Sequence, residues 1–589
     1  MNPSISKGTV SMKKNLITIG ISVVVLILLL ILVFYFFIPN NKVIVAYPGK
    51  VTALVIEGNM VDSPNPPVFE NENNQVLLPL DIIKKYFDES ILWDEKLKKV
   101  IITTDDKVIR MKTDNLTAHI NNKPTKLNIS AKVIAGAVYM PIDFLEDVYR
   151  IDVNFNKDSN VVIIDYRNKI KKLAEVIQKK GAVRQDMSIR SPIVKMIKKG
   201  ETLWAFDEYE KWYKVRTEEG IVGYIQKKYI KITSITSSIY TEETGSPDND
   251  ILRGKLNVVW DPLHVKTLEM GGPPKIEGLD VISPTWFELA GDDGTVTSKA
   301  DLKYVEQAKK NGYKVWALFR NGFALEDRPK TSRVLNDSLL REEVTKKILV
   351  YAKLYKLDGI NVDFENMYEK DKDMFSQFIR ELTPLLREQG LVVSVDVGVP
   401  GGSEYYSLCY DRKALAKAAD YIMVMTYDQH WSSSPESGSV AQYTWVEKKL
   451  QQTLKEVPPG KLLLGIPFYT REWKEINGKL VDKPAVLSMD EAKRRVESNN
   501  AKVKWDQESG QFYAEYGKGG ATYKIWLEDE KSINLKSSLT HKYNLAGAAS
   551  WRKGFESKGV WTVLNTNLKK NLNYFEWAQN NNNVQYKFR

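Results

Sequence analysis

The sequence predicts a multidomain protein. Its C-terminal half is a (β/α)8 TIM barrel carrying an α+β insertion, preceded by a small β-barrel, a pseudo-repeated α+β domain and an N-terminal transmembrane helix. Three observations carry that reading: one long uncharged apolar run near the N-terminus, an internal repeat after it, and a regular alternation of strand-like and helix-like apolar patterns from Ile251 onward. At 589 residues the chain is too long for a single core.

The apolar run is Leu16–Ile38, which is dominated by Leu, Ile, Val and Phe and is long enough as a helix to cover a ~30 Å hydrocarbon layer. Lys7, Lys13 and Lys14 precede it and no acidic residue appears before Glu57, so residues 1–15 are expected in the cytoplasm and everything after Pro39 outside. The run ends in Phe34-Tyr35-Phe36-Phe37-Ile38 and lacks a small-residue cleavage site, which argues for a retained single-pass anchor in the cell membrane and against a signal peptide.

Within 43–166, Leu78-Pro79-Leu80-Asp81 followed by Val100-Ile101-Ile102 recurs as Met140-Pro141-Ile142-Asp143 followed by Val161-Val162-Ile163-Ile164. Each copy reads as a short amphipathic helix leading to paired strands. The segment resembles the copper amine oxidase N-terminal-like domain of Gram-positive envelope proteins, which implies a stalk; with one histidine in the region, copper is not expected. Residues 167–180 read as a short charged connecting helix.

Residues 183–232 show short alternating runs punctuated by Gly200, Gly220 and Gly223, the pattern of a small β-barrel. Lys199-Gly200-Glu201, Lys211-Trp212-Tyr213-Lys214-Val215 and Gly220-Ile221-Val222-Gly223-Tyr224-Ile225 look like a bacterial SH3-type domain. That resemblance implies binding of wall peptides; a spacer whose Trp212 and Tyr213 are merely core is the alternative. Residues 233–250, rich in Ser, Thr, Asp and Gly, form a linker.

The barrel is expected over 251–575, with strands at 256–260, 281–284, 314–319, 359–364, 392–397, 421–425, 462–466 and 546–550. The stretch 470–540 is too long for one βα unit and is taken as the insertion. Helical stripes fit between the strands: Leu340, Val344 and Ile348 on one face, Phe375, Phe378, Ile379 and Leu382 on another, Val446, Leu450 and Leu454 on a third.

The most informative stretch is Asp358-Gly359-Ile360-Asn361-Val362-Asp363-Phe364-Glu365. Alternation puts Asn361, Asp363 and Glu365 on one side of a strand whose two faces meet helices and barrel interior. Polar groups pointing inward at the C-terminal end of a barrel strand are costly to desolvate without a chemical task. Met423-Val424-Met425-Thr426-Tyr427-Asp428 and Trp551 lie at the ends of two later strands.

These motifs resemble those of glycoside hydrolase family 18, whose pattern is D-G-x-D-x-D-x-E followed by M-x-Y-D. The resemblance implies a retaining mechanism in which the substrate's own N-acetyl oxygen attacks the anomeric carbon. It implies that Glu365 protonates the leaving oxygen and later activates water, that Asp363 orients the acetamido group, and that Tyr427 donates to its carbonyl. Asn361, Asp428, Trp551 and Met425 would line the sugar site, with Trp551 as its aromatic floor. Asn361 departs from the pattern, since most chitinases carry aspartate there. Asparagine occurs in the subgroup resembling spore cortex-lytic and wall-associated N-acetylglucosaminidases, so the expected substrate is peptidoglycan.

A chitinase or hexosaminidase acting on soluble oligosaccharides, and a glycan-binding protein without turnover, are the alternatives. Lys and Arg outnumber Asp and Glu by 85 to 74, but they are scattered and accompany no nucleic-acid motif, so the charge suits an anionic envelope polymer or lipid surface. One cysteine, Cys409, and four unclustered histidines argue against disulfides and a metal site, and no cofactor is expected.

Overall fold

The computed structural model describes residues 18–31, 38–48, 52–70, 75–236, 254–263, 272–570 and 573–581. The predicted cytoplasmic tail and most of the predicted linker lie outside the described residues, as do both ends of the predicted anchor. Within that anchor, residues 18–31 are helical and exposed throughout. No helix among the described residues is long and apolar enough to cross a membrane.

The chain divides into two compact units, the first built from Met1–Ile91, Met111–Ala118 and Thr125–Glu243. In it the two copies of the repeat meet as neighbouring antiparallel strands, Gln75–Pro79 and Ala137–Pro141, with Tyr139 opposite Pro79 and Pro141 opposite Leu77. Each proline then caps a helix, Leu80–Tyr86 or Ile142–Tyr149, since its fixed φ and missing N–H suit a helix start.

A seven-stranded antiparallel sheet follows, forming the SH3-like domain. It begins earlier than the sequence suggests. The charged helix expected over residues 167–180 is instead a strand, Lys171–Val176, paired on one side with Thr202–Glu208 and on the other with Ile230–Thr236. Ala174 and Val176 are fully buried while Leu173 and Glu175, which alternate with them, are only half-buried, a period of two that long-range pairing selects over local helix propensity.

The second unit comprises Leu92–Arg110, His119–Pro124 and Thr244–Arg589. Its centre is a closed barrel of eight parallel strands: β1 (Leu256–Asp261), β2 (Val281–Leu289), β3 (Lys314–Arg320), β4 (Gly359–Asp363), β5 (Val392–Gly398), β6 (Tyr421–Met425), β7 (Leu462–Pro467) and β8 (Gly547–Trp551). Each strand pairs in parallel with the next, and β8 pairs with β1 to close the ring. Between them run α1 (Leu302–Lys310), α2 (Ser338–Leu354), α3 (Lys372–Arg387), α4 (Arg412–Ala418), α5 (Tyr443–Thr453) and α6 (Glu530–Lys542), and α7 (Lys558–Lys569) follows β8.

The alternation along the strands sorts two cores. Leu256, Val258, Trp260, Trp316, Leu318, Met423 and Leu463 fill the interior. Ile360, Val362, Val393 and Val395 pack outward against Phe375, Phe378, Ile379 and Leu382 of α3. Residues inserted between β7 and α6 form a six-stranded sheet with the helix Met489–Ser498, around a core of their own that includes Leu487, Val496, Phe512 and Ile525.

Candidate active site

Because Ile360 and Val362 face the helices, Asn361 and Asp363 point into the barrel, and both are buried. Strand β4 ends at Asp363, yet the chain keeps its direction for two more residues. Asn321, just past β3, accepts the backbone N–H of Glu365 with Oδ1 at 2.9 Å and donates Nδ2 to the carbonyl of Glu365 at 2.9 Å. The hydroxyl of Tyr410 donates to the carbonyl of Phe364 at 2.8 Å. Glu365 is thereby held at the strand's C-terminal mouth, half-buried.

Asn361 is the hub of the interior network. Its Oδ1 accepts from Trp260 Nε1 at 2.8 Å and from Ser283 Oγ at 3.3 Å, while Nδ2 donates to Ser394 Oγ at 3.1 Å and to Asp396 Oδ1 at 2.7 Å. Asp396, inward on β5 and buried, was not singled out from the sequence. Its signal was present: Ser394 and Asp396 alternate with Val393, Val395 and Val397, the same pattern that marks Asn361 and Asp363.

Three carboxyl groups therefore lie near enough to feel one another's charge, and each holds its proton well above the ordinary carboxylate range. For Asp363 the cause is burial, then the charge of Asp396, with Arg320 of β3 pulling the other way. For Glu365 it is burial, then Asp363 and Asp428, again opposed by Arg320. For Asp396 it is burial first, with the hydrogen bond from Asn361 opposing and the charge of Glu365 adding. A glutamic acid that stays protonated at the mouth of a cleft can act as a proton donor.

Tyr427, just past β6, is buried, and its hydroxyl is held protonated by burial and by the charges of Asp396, Asp363 and Glu365. The phenol therefore faces the same pocket as the carboxyl groups. Met425 is buried at the end of β6. Asp428 sits at φ 56°, a left-handed conformation, and its Oδ1 accepts from Tyr469 Oη at 2.6 Å and Arg471 Nη2 at 2.8 Å. Trp551 is the last residue of β8, half-buried, with its ring edge-on to Trp260 at 6.0 Å. The sequence reading also missed Tyr406, after β5, whose hydroxyl feels the charges of Asp428 and Glu365.

Asp363, Glu365, Met425, Tyr427, Asp428 and Trp551 thus lie at or just past the C-terminal ends of β4, β6 and β8, with Asn361 buried below them in the barrel interior. Residues 264–555 match glycosyl hydrolases family 18. The barrel belongs to that family. Residues 55–164 match the copper amine oxidase N-terminal domain and 179–231 the bacterial SH3 domain.

Among relatives of the family 18 barrel, the uncharacterized glycosylase YvbX of Bacillus subtilis (strain 168) is 29% identical over 47% of this chain and 81% of its own length. The cortical fragment-lytic enzyme of the same organism is 25% identical over 39% of this chain and 54% of its own, so the match spans about half of that relative. A crystal structure of a chitinase from Chromobacterium violaceum ATCC 12472 covers 54% of this chain and 99% of its own at 22% identity, with a TM-score of 0.47. The family 18 barrel makes this chain a glycosidase.

Proposed function

We propose that the protein is a membrane-anchored, outward-facing hydrolase of the N-acetylglucosaminyl bonds of peptidoglycan, working by a retaining, substrate-assisted mechanism. The observation that carries the reading is Glu365, fixed at the mouth of β4 by Asn321 and kept protonated by burial and by Asp363. In this reading Glu365 gives its proton to the leaving glycosidic oxygen while the acetamido oxygen of the substrate closes on the anomeric carbon. Asp363 supplies the negative charge that steadies the resulting oxazolinium ion, and Tyr427 donates to the acetamido oxygen. Glu365 then takes a proton from the water that opens the ring.

Trp551 offers its exposed face to the apolar side of a sugar, and Met425 and Asp428 add to the lining from the end of β6; Asn361, expected from the motif to line the site, is fully buried with both ends of its amide engaged and supports the site from within the barrel. Peptidoglycan is supported by the relative named as a cortical fragment-lytic enzyme and by an SH3 domain and a stalk-type domain ahead of the barrel. The anchor rests on the apolar run Leu16–Ile38 and the lysines before it. The SH3 domain would hold wall peptides near the barrel.

Incubating the full-length chain with peptidoglycan glycan strands should release new reducing ends that carry N-acetylglucosamine, and Glu365→Gln should abolish them. No release by the wild type would end this reading; a clear preference for chitin oligomers would move the substrate to soluble oligosaccharides. Recovery of the chain in washed membranes with its N-terminus intact would support the anchor, and a cleaved N-terminus would remove it.

A further inference from the structure

The residue after Glu365 ties the proposed acid to an arginine that the mechanism does not use. Asn366 turns the chain in a left-handed conformation at φ 53°, and its Nδ2 donates to the carbonyl of Phe323 at 3.1 Å. Its own carbonyl accepts Arg328 Nε at 2.8 Å. The guanidinium carbon of Arg328 stands 3.5 Å from the ring centre of Tyr405, in the segment after β5, and Tyr405 meets Tyr368, past the end of β4, edge-on at 6.4 Å. One bond and one ring therefore fix the guanidinium, and the side chain is half-buried.

This fixed cation has no anion. Among the described residues neither Nη atom of Arg328 has a hydrogen bond, and no carboxylate comes within ion-pair distance. Nearby acids are engaged elsewhere. Glu288 accepts Arg320 at 2.6 and 3.1 Å, and Asp327, next in sequence, accepts Lys330 Nζ at 2.8 Å and the N–H of Ala324 at 3.3 Å. Arg328 is also the first residue of the helix Arg328–Asn336, where the helix dipole favours negative charge. Nothing in its own helix stabilises the cation.

We propose that Arg328 is a specificity-determining residue that binds a carboxylate of the substrate on the leaving-group side of the scissile bond, so that the protein selects an acid-bearing glycan over a neutral one. This rests on the reading of Glu365 given above. The sugar released when an N-acetylglucosaminyl bond of peptidoglycan breaks is a muramic residue, which carries a carboxyl group on its lactyl ether or on the stem peptide attached there; the sugars of chitin carry none. Glu365 protonates the oxygen of that leaving sugar, and the turn at Asn366 sets Arg328 next to the acid's own loop. With Nε occupied, the edge formed by the two Nη atoms is left to grip a carboxylate with two parallel N–H bonds.

The test measures kcat and KM of the full-length wild type, Arg328→Gln, Arg328→Lys and Arg333→Gln on glycan strands with their stem peptides, on strands stripped of peptide so that the lactyl carboxylates are free, and on stripped strands whose carboxylates have been converted to methylamides. Wild type should favour an acid-bearing probe over the methylamides by ~10-fold or more in kcat/KM. Arg328→Gln should erase that preference, with the larger change in KM, and Arg328→Lys, which keeps the charge and loses the fork, should retain only part of it. Arg333, on the same helix, pairs with Asp292 at 3.0 Å with both side chains largely exposed, so Arg333→Gln removes an equal charge and should keep the preference. Preference for the stripped strands over the methylamides assigns the lactyl carboxylate; preference for the peptide-bearing strands alone assigns a peptide carboxylate.

Equal kcat/KM of the wild type on acid-bearing and methylamide strands, a preference that survives in Arg328→Gln, or one that falls equally in Arg333→Gln would overturn the proposal. A wild type that cleaves none of the probes sinks the reading of Glu365, and equilibrium binding of the same strands then decides the role of Arg328. Binding that weakens on amidation in the wild type and not in Arg328→Gln supports the carboxylate site; equal binding of all strands, or none, overturns it.

Discussion

Trp260 Nε1 lies 2.8 Å from Asn361 Oδ1, and that one bond orients the amide on which Ser394 and Asp396 converge from the next strand. Trp260 is 1% exposed, so no solvent can replace the donor. Trp260→Phe therefore leaves a buried carbonyl oxygen with only the long contact from Ser283 at 3.3 Å. The expected cost is ~1–3 kcal/mol, read in urea unfolding. The amide is also freed to turn, so a fall in kcat should accompany the loss. A phenylalanine variant with wild-type stability and rate would show that the indole N–H has no such role.

The raised proton affinities of Asp363, Glu365 and Asp396 make a stability prediction with a definite sign. Where a folded-state pKa lies above the unfolded one, the folded chain binds more protons. Stability is then full below the unfolded pKa, about 4 for Asp and Glu, and declines as pH rises through the folded values. Asp363→Asn should thus raise the thermal midpoint at pH 7 while leaving it nearly unchanged at pH 4, and should lose most activity at both. A midpoint that falls at neutral pH would mean the carboxyl is ionised and well solvated in the folded state.

Much of this was legible because the barrel sorts side chains by parity. Eight apolar runs gave eight strands, and Asn361 and Asp363 stood out as polar residues at inward positions. Asp396 obeyed the same rule but went unremarked, since a single aspartate in a Val-rich run carries no motif. Tyr469 and Arg471 could not be found this way. They lie on the first strand of the insertion, Tyr469–Ile476, and only the closed fold brings them to Asp428. The strand Lys171–Val176 misled for a related reason, because its lysines suit a solvated helix and its partners lie far along the chain.

Asp428 is an aspartate in a left-handed conformation, held there by Tyr469 and Arg471. Tyr469 is 5% exposed, so its hydroxyl is a fixed donor. Tyr469→Phe removes one of the two bonds that fix the carboxylate. Loss of a part-buried charge-assisted bond should lower kcat/KM by ~10-fold, with the larger part in KM if Asp428 binds sugar in the ground state. An unchanged KM with a reduced kcat would place Asp428 in transition-state stabilisation instead.

Away from the mouth of the barrel, one buried ion cluster fastens the segment Leu92–Arg110 to the barrel helices within the same unit. Glu381 of α3 is fully buried; its Oε1 accepts from Arg341 Nε at 3.1 Å, Arg341 Nη2 at 2.9 Å and Gln377 Nε2 at 3.0 Å, and its Oε2 lies 3.4 Å from Arg110 Nη2. Arg341 is 1% exposed and Arg110 5%, so neither guanidinium can turn to water when the carboxylate is lost. Glu381→Gln keeps the shape and removes the charge, and breaking a buried pair in this way should cost ~3–5 kcal/mol. Arg110 retains Glu342 as a partner at 3.5 Å, so Arg110→Met should cost less than Glu381→Gln, and the double variant less than the sum of the two. Activity at temperatures where the variants remain folded should match wild type, because the cluster joins helices α2 and α3 to the segment Leu92–Arg110 and includes none of the groups at the mouth of the barrel. Additive losses in the double variant would show that Arg110 and Glu381 are not coupled, and that Arg341 alone neutralises the buried carboxylate.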